Sequence, residues 1–197
     1  MFVKICGITT KSALDAAMCS GADFVGFVFA KSTREISLEK AKELSKFVPQ
    51  NIKKVGVFVD EPLENLLKIA KDVPLDIVQL HGNESSEYAA QIPLETIKVI
   101  KIISDKFSQN IEDFANSMLM FDAKISGGGE KFNWKAIDLN KIKERKFFIA
   151  GGLDCENVKS AIEYFSPFAV DVSSGVETCG RKDNEKIRKF IKIAKNK

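Results

Sequence analysis

Short, nearly uninterrupted apolar runs rich in Val, Ile and Phe alternate along this chain with longer stretches in which apolar residues recur at helical spacing among Lys and Glu. The runs Phe2–Ile8, Phe24–Phe29, Lys53–Asp60, Ile77–Gly82, Ile97–Ile103, Met118–Lys124, Lys146–Gly151 and Phe168–Ser173 have the continuous hydrophobicity of parallel strands covered on both faces. Between them the pattern predicts helices over Lys11–Ser20, Leu38–Phe47, Leu63–Lys71, Ser85–Gln91, Phe107–Asn116, Trp134–Glu144, Glu156–Tyr164 and Asp183–Lys195. Start signals support several of these. Ser37 stands before LEKA, and Glu61-Pro62 before LENLLKIA, where Pro suits a first helical turn.

Eight strand–helix units with no spare strand fit an α/β fold with a single (β/α)8 TIM barrel spanning residues 1–197. Such barrels typically run to about 250 residues, so the loops here are short. A doubly wound open sheet needs a topological switch point, and no break in the pattern marks one. Nor does any low-complexity linker divide the chain. Barrel chemistry sits at the C-terminal ends of the strands. The positions to weigh are therefore Cys6-Gly7, the loop after Phe29, Asp60, His81-Gly82, Ile103-Ser104, Asp122, Gly151-Gly152 and Ser173-Ser174-Gly175.

Composition narrows the field without naming a reaction. The 197 residues carry 45% apolar and 29% charged side chains and a net charge of +3, ordinary values for a globular protein with a sizeable core. The basic residues are dispersed among acidic ones, with no stripe suited to nucleic acid. No apolar run reaches membrane-spanning length. The four cysteines form no CxxC pair and there is one histidine, so neither a zinc site nor any other Cys/His metal framework is expected. The reading is a reduced, cytoplasmic protein with no membrane or nucleic-acid partner.

Several strand-end residues could carry chemistry. Gly151-Gly152, and Ser173-Ser174-Gly175 after the last strand, occupy the loops that recurrently grip phosphate in this barrel through backbone N–H groups. Asp122 shares a strand face with Met118 and Met120; it reads equally as a general acid or base and as a structural ion-pair partner of Lys4 or Lys124. Cys6 shares a face with Phe2 and Lys4. A nearby cation would give its thiol some thiolate character and make it a base; a small buried filler is the plainer alternative. Gly7, beside it, would leave room for a ligand. Arg34 suits a carboxylate or phosphate, or else a surface pair with Glu35. His81 ends the fourth strand, where a proton shuttle, a ligand contact and a hydrogen-bonded structural role all stay open. Asp171 should face inward, toward Lys4 or a ligand. Cys19, Cys155 and Cys179 read as bystanders.

Taken in order, KICGIT, GADFVGFVFAKSTREIS, VGVFVDEP, VQLHGNE, FDAK…GGGEKFNW, AGGLDCENV and FAVDVSSGVE…GRKD resemble the phosphoribosylanthranilate isomerase family of tryptophan biosynthesis. The match runs from Lys4 to about Asp183 and nearly every motif lies at a strand end. The resemblance implies a cofactor-free Amadori rearrangement of a phosphorylated substrate, by a monomer or homodimer. It assigns the general base to Cys6 and the general acid to Asp122. Arg34 would hold the substrate carboxylate, and Gly151, Gly152, Ser173, Ser174 and Gly175 the phosphate. An Asp122 that starts protonated would be favoured by desolvation among its apolar neighbours. The chain departs from the family pattern at Glu35, at Asn133, at Cys155 and in its short segment between Lys124 and Phe132. A lyase of the same fold acting on indole-glycerol phosphate would be expected to use Lys and Glu at strand ends. A phosphate-binding barrel without catalysis would tolerate loss of Cys6 and Asp122.

Overall fold

The computed structural model describes residues 1–103, 106–122, 142 and 144–196. Eight parallel strands close into a barrel: β1 (Phe2–Cys6), β2 (Phe24–Val28), β3 (Lys53–Phe58), β4 (Ile77–Leu80), β5 (Glu95–Ile103), β6 (Met118–Asp122), β7 (Phe147–Ala150) and β8 (Ala169–Val172). Neighbours pair in sequence order, and β1 closes the ring against β8, with Lys4 opposite Asp171. The (β/α)8 barrel expected from the alternation is therefore the observed fold.

Strand alternation divides the apolar residues into two cores. Inward positions fill the barrel with Phe24, Val55, Ile77, Ile97, Val99, Met120, Phe148, Ala150 and Ala169. Outward positions such as Val25, Phe27, Leu119, Phe121 and Val170 pack beneath the helices. Helix α1 (Lys11–Ser20) shows how local sequence builds this second layer. The Thr10 hydroxyl accepts the Ala13 N–H, Gly21 ends the helix at φ 92°, and Ala13, Leu14, Ala16 and Ala17 face the core. Helices α2 (Leu38–Ser45) and α3 (Leu63–Asp72) follow, the former capped by Ser37 as expected. The remaining helices among the described residues are α4 (Ser86–Ala89), α5 (Val158–Phe165) and α6 (Asn184–Ala194).

Two helical expectations are corrected. Phe107–Asn116 does not form a helix: Lys106–Phe107 folds back antiparallel on the end of β5, and only a 3-10 turn, Ile111–Phe114, follows. Its buried face is a single turn long, made by Ile111 and Phe114, which is too little apolar surface to support a full helix. Arg145 donates to the Ile111 and Ser117 carbonyls and so holds the turn's far end. Helix α5 starts at Val158, not Glu156, because Asp154 Oδ1 accepts the N–H groups of Glu156 and Asn157 in a local turn. Nearly all of the expected helix Trp134–Glu144 lies outside the described residues, as do Ser104, Lys124, Asn133 and the short segment before Phe132.

Candidate active site

At the C-terminal end of the barrel a cavity of about 290 Å³ is lined by Cys6, Arg34, Gln79, His81, Asp122, Gly151, Gly152, Asp171, Ser173 and Ser174, among others. The structure thus brings together residues from strand ends spread over the chain. Gly175 does not line the cavity. A Cβ there would lie 1.9 Å from the Leu153 carbonyl oxygen, so its role is to let the loop after β8 pack directly on the loop after β7. Asp60 also stays apart: its Oδ1 accepts the Asn83 N–H, joining the loops after β3 and β4.

Cys6 ends β1 with its side chain inside the barrel, buried at 7% exposure. Beneath it on the same face is Lys4, fully buried, whose Nζ donates to Asp171 Oδ1 at 2.9 Å. The alternative pairing of Lys4 with Asp122 is therefore not the one adopted. Burial works against the Lys4 ammonium, but Asp171 and the Cys6 sulfur outweigh it and hold its pKa above the usual lysine value. Burial pushes the Cys6 thiol up; Lys4 and, more weakly, Lys182 pull it down, while Asp171 adds to the rise. Gly7 adopts φ 77°, and a Cβ on it would meet Arg34 Cδ at 2.9 Å. The room left by this glycine is taken by the arginine stem, not by a ligand.

Arg34 does not pair with Glu35. Its Nε and Nη2 donate to Glu177 Oε1 and Oε2 at 2.7 and 2.8 Å, a bidentate geometry that fixes the guanidinium plane. Glu177 sits on a short hairpin, Glu177–Thr178 with Arg181–Lys182, and also accepts from Lys182 Nζ at 2.5 Å. Burial alone would raise the Glu177 pKa, yet the two cations hold it down at about 2. Lys182 in turn donates to the Ser173 carbonyl at 3.0 Å, and Ser173 Oγ donates to the Cys6 carbonyl at 3.2 Å. One hydrogen-bonded chain therefore ties Arg34, the last loop and the end of β1 together.

Across the cavity, His81 Nε2 lies 3.3 Å from Asp122 Oδ2, and Gln79 Nε2 lies 3.2 Å from His81 Nδ1. An amide donating to Nδ1 leaves the proton on Nε2, aimed at Asp122. Met120 continues the inward face of β6 below Asp122, as alternation predicted, but the neighbour at carboxylate height is this imidazole. Gln79 is buried at 1% exposure and its Oε1 has no hydrogen-bond partner among the described residues. In the loop after β7 Gly151 and Gly152 take φ 82° and 68°, backbone that glycine adopts without strain. Asn157 donates to the Gly152 carbonyl at 2.9 Å and accepts the Asp154 N–H, which locks the loop after β7. Ser173 places no side-chain cap on the 3-10 turn Ser174–Val176, so it leaves the first N–H groups of that turn unclaimed by its hydroxyl.

Sequence reasoning did not single out Gln79, Glu177, Lys182 or Gly26. Gln79 carried a signal, a polar residue inside an apolar strand two positions before His81. Glu177 and Lys182 carried none, because the Arg34 that Glu177 holds lies 143 residues away in the chain.

The family model described as PRAI, N-(5'phosphoribosyl)anthranilate (PRA) isomerase, matches residues 3–193. The N-(5'-phosphoribosyl)anthranilate isomerase of Streptococcus mutans is 50% identical over 193 residues, covering 98% of both chains. Phosphoribosyl anthranilate isomerase from Thermotoga maritima has a TM-score of 0.89 at 41% identity, with 100% of both chains covered. A phosphoribosyl anthranilate isomerase solved in complex with reduced 1-(o-carboxyphenylamino)-1-deoxyribulose 5-phosphate has a TM-score of 0.83 at 38% identity, again over 100% of both chains. By fold, by sequence and over its whole length, the chain belongs to the N-(5'-phosphoribosyl)anthranilate isomerase family.

Proposed function

We propose that residues 1–197 act as one catalytic domain that performs the Amadori rearrangement of its family in tryptophan biosynthesis. N-(5-phosphoribosyl)anthranilate is converted to 1-(o-carboxyphenylamino)-1-deoxyribulose 5-phosphate. The observation that carries this reading is that Cys6 and Asp122 line the same cavity as the glycine loops and Arg34.

The chemistry follows from those positions. Asp122, oriented by the His81 imidazole, gives a proton to the ribose ring oxygen as the C1′–O bond breaks. The iminium that results acidifies the C2′ hydrogen, and the Cys6 thiolate removes it. The enolamine then tautomerises to the ketone. Each transfer by a placed group is worth ~10²–10⁴ in rate, enough for substantial acceleration by two side chains. Backbone N–H groups around Gly151, Gly152, Ser173 and Ser174 hold the phosphate, with Gly175 permitting the two loops to meet. Arg34 has spent two N–H groups on Glu177 and offers the rest of its fork to the anthranilate carboxylate. Asp171 and His81 complete the wall facing the sugar chain.

The test is a fluorescence assay on freshly made phosphoribosylanthranilate, following its loss beyond spontaneous hydrolysis and identifying the ketose product. Accelerated conversion is expected, with kcat lowered ~10²–10⁴-fold in both Cys6→Ser and Asp122→Asn. Near-normal kcat in both variants would overturn the acid–base assignment.

A further inference from the structure

Lys4 is a fully buried charge for which the mechanism above has no use. A buried ion pair is weak evidence for stability, since well-packed apolar residues of similar volume often serve as well or better. The position of this pair is more informative than its existence. Lys4 and Cys6 share the inward face of β1, and the Lys4 ammonium, hydrogen-bonded to Asp171, stands close enough to the Cys6 sulfur for each to perturb the other's ionisation. Gly26, opposite Cys6 on β2, makes the arrangement possible. A Cβ there would lie 2.9 Å from Cys6 Sγ and 3.2 Å from Lys4 Nζ, which puts sulfur and ammonium within the roughly 4–6 Å over which opposite charges shift a pKa. A glycine inside a strand marks such a close approach.

We propose that Lys4 is a positioning residue for the isomerisation: from inside the barrel its ammonium supports the Cys6 thiolate at the cavity floor, and Asp171 sets how much of that charge Cys6 receives. The inference rests on Cys6 being the base. With the thiol protonated, Lys4 and Asp171 neutralise each other. When the thiol ionises, the anion gains the ammonium on one side and meets the Asp171 carboxylate on the other. Lys182 and Arg34 are the further charges felt from the loops above. Among the charged groups facing Cys6, Asp171 is the one that opposes ionisation, and like Arg34 it lines the cavity. As Cys6 takes the C2′ proton the C–H electron pair neutralises the iminium, thiol and enolamine are both left uncharged, and the Lys4–Asp171 pair is left balanced.

The experiment uses the full chain with Cys19, Cys155 and Cys179 replaced by Ser, so that thiolate ultraviolet absorbance reports Cys6 alone. In Asp171→Asn the thiol titration is expected to move to lower pH by about one unit or more, the ordinary reach of an adjacent opposite charge once the Lys4 ammonium is no longer offset by a carboxylate. In Lys4→Met it is expected to move to higher pH. Should Lys4→Met fail to fold, Lys4→Met/Asp171→Asn keeps the interior neutral and is still expected to titrate above the parent. A titration unchanged in Asp171→Asn, or unchanged on loss of Lys4, overturns the proposal. The pH profile of kcat/KM is read in parallel. Its acid limb is expected to follow the thiol in Asp171→Asn; a limb that stays while the thiol moves removes Cys6 as the base, and with it the reading on which the proposal rests.

Discussion

At the N-terminal end of the barrel the inward side chains are Phe2, Phe24, Met118, Phe148 and Phe168, with Phe2 and Phe168 ring centroids 4.8 Å apart and Phe24 and Phe148 5.4 Å apart. At the C-terminal end of the same strands the inward positions are Cys6, Gln79, His81, Asp122 and Asp171. Both ends are concave, and the basal hollow, about 370 Å³, is larger than the 290 Å³ cavity at the rim. A groove beside the 3-10 turn is larger again at about 490 Å³. Volume therefore does not locate the chemistry. Convergent polar groups and opposed charges do, and they occur where eight strand ends meet loops free to supply backbone N–H groups. The aromatic end provides cohesion; the polar end gathers the groups suited to chemistry.

That division can be broken most forcefully at Phe148. Phe148→Ala is expected to lower stability by about 3–5 kcal/mol through transfer and cavity terms, while leaving kcat near the parent value under folding conditions. Denaturant titration alongside the isomerase assay checks both halves, and a collapse of kcat in the folded variant would show that the ends are not separable. A smaller effect is expected at the rim from Arg34→Ala. Loss of a charge-assisted contact worth about 1.5–3 kcal/mol would raise KM at least about tenfold with a lesser change in kcat, by steady-state kinetics. An unchanged KM would reject the carboxylate role.

The smallest effect concerns acid stability. Glu177 has its folded pKa depressed to about 2 from the ordinary 4.5, so its contribution is complete above the unfolded value and is lost as pH falls through that window toward 2. Glu177→Gln is expected to flatten the stability loss between those limits in acid denaturation, and an unaltered slope would show that the Arg34–Glu177–Lys182 network contributes nothing there.

Some of this molecule was determined by sequence alone. Uninterrupted runs of Val, Ile and Phe between amphipathic segments specify a βα repeat, because burial on both faces and burial on one face leave different local patterns. The same logic placed Cys6 and Asp122 at strand ends and the glycines in the last two loops, since position along a parallel strand is a local property. It failed at residues 107–116, where two buried side chains three apart look like a helix but support only one turn. What only the tertiary structure decided was partnership. Asp171 is 167 residues from Lys4 and Glu177 is 143 residues from Arg34, and both pairs exist only because the ring closes β8 against β1. The two rim-side glycines likewise found their meaning in space: Gly7 makes way for the Arg34 stem and Gly26 for a thiol beside an ammonium. No local periodicity encodes such contacts, because closure and register, not neighbouring residues, set which side chains share a buried volume.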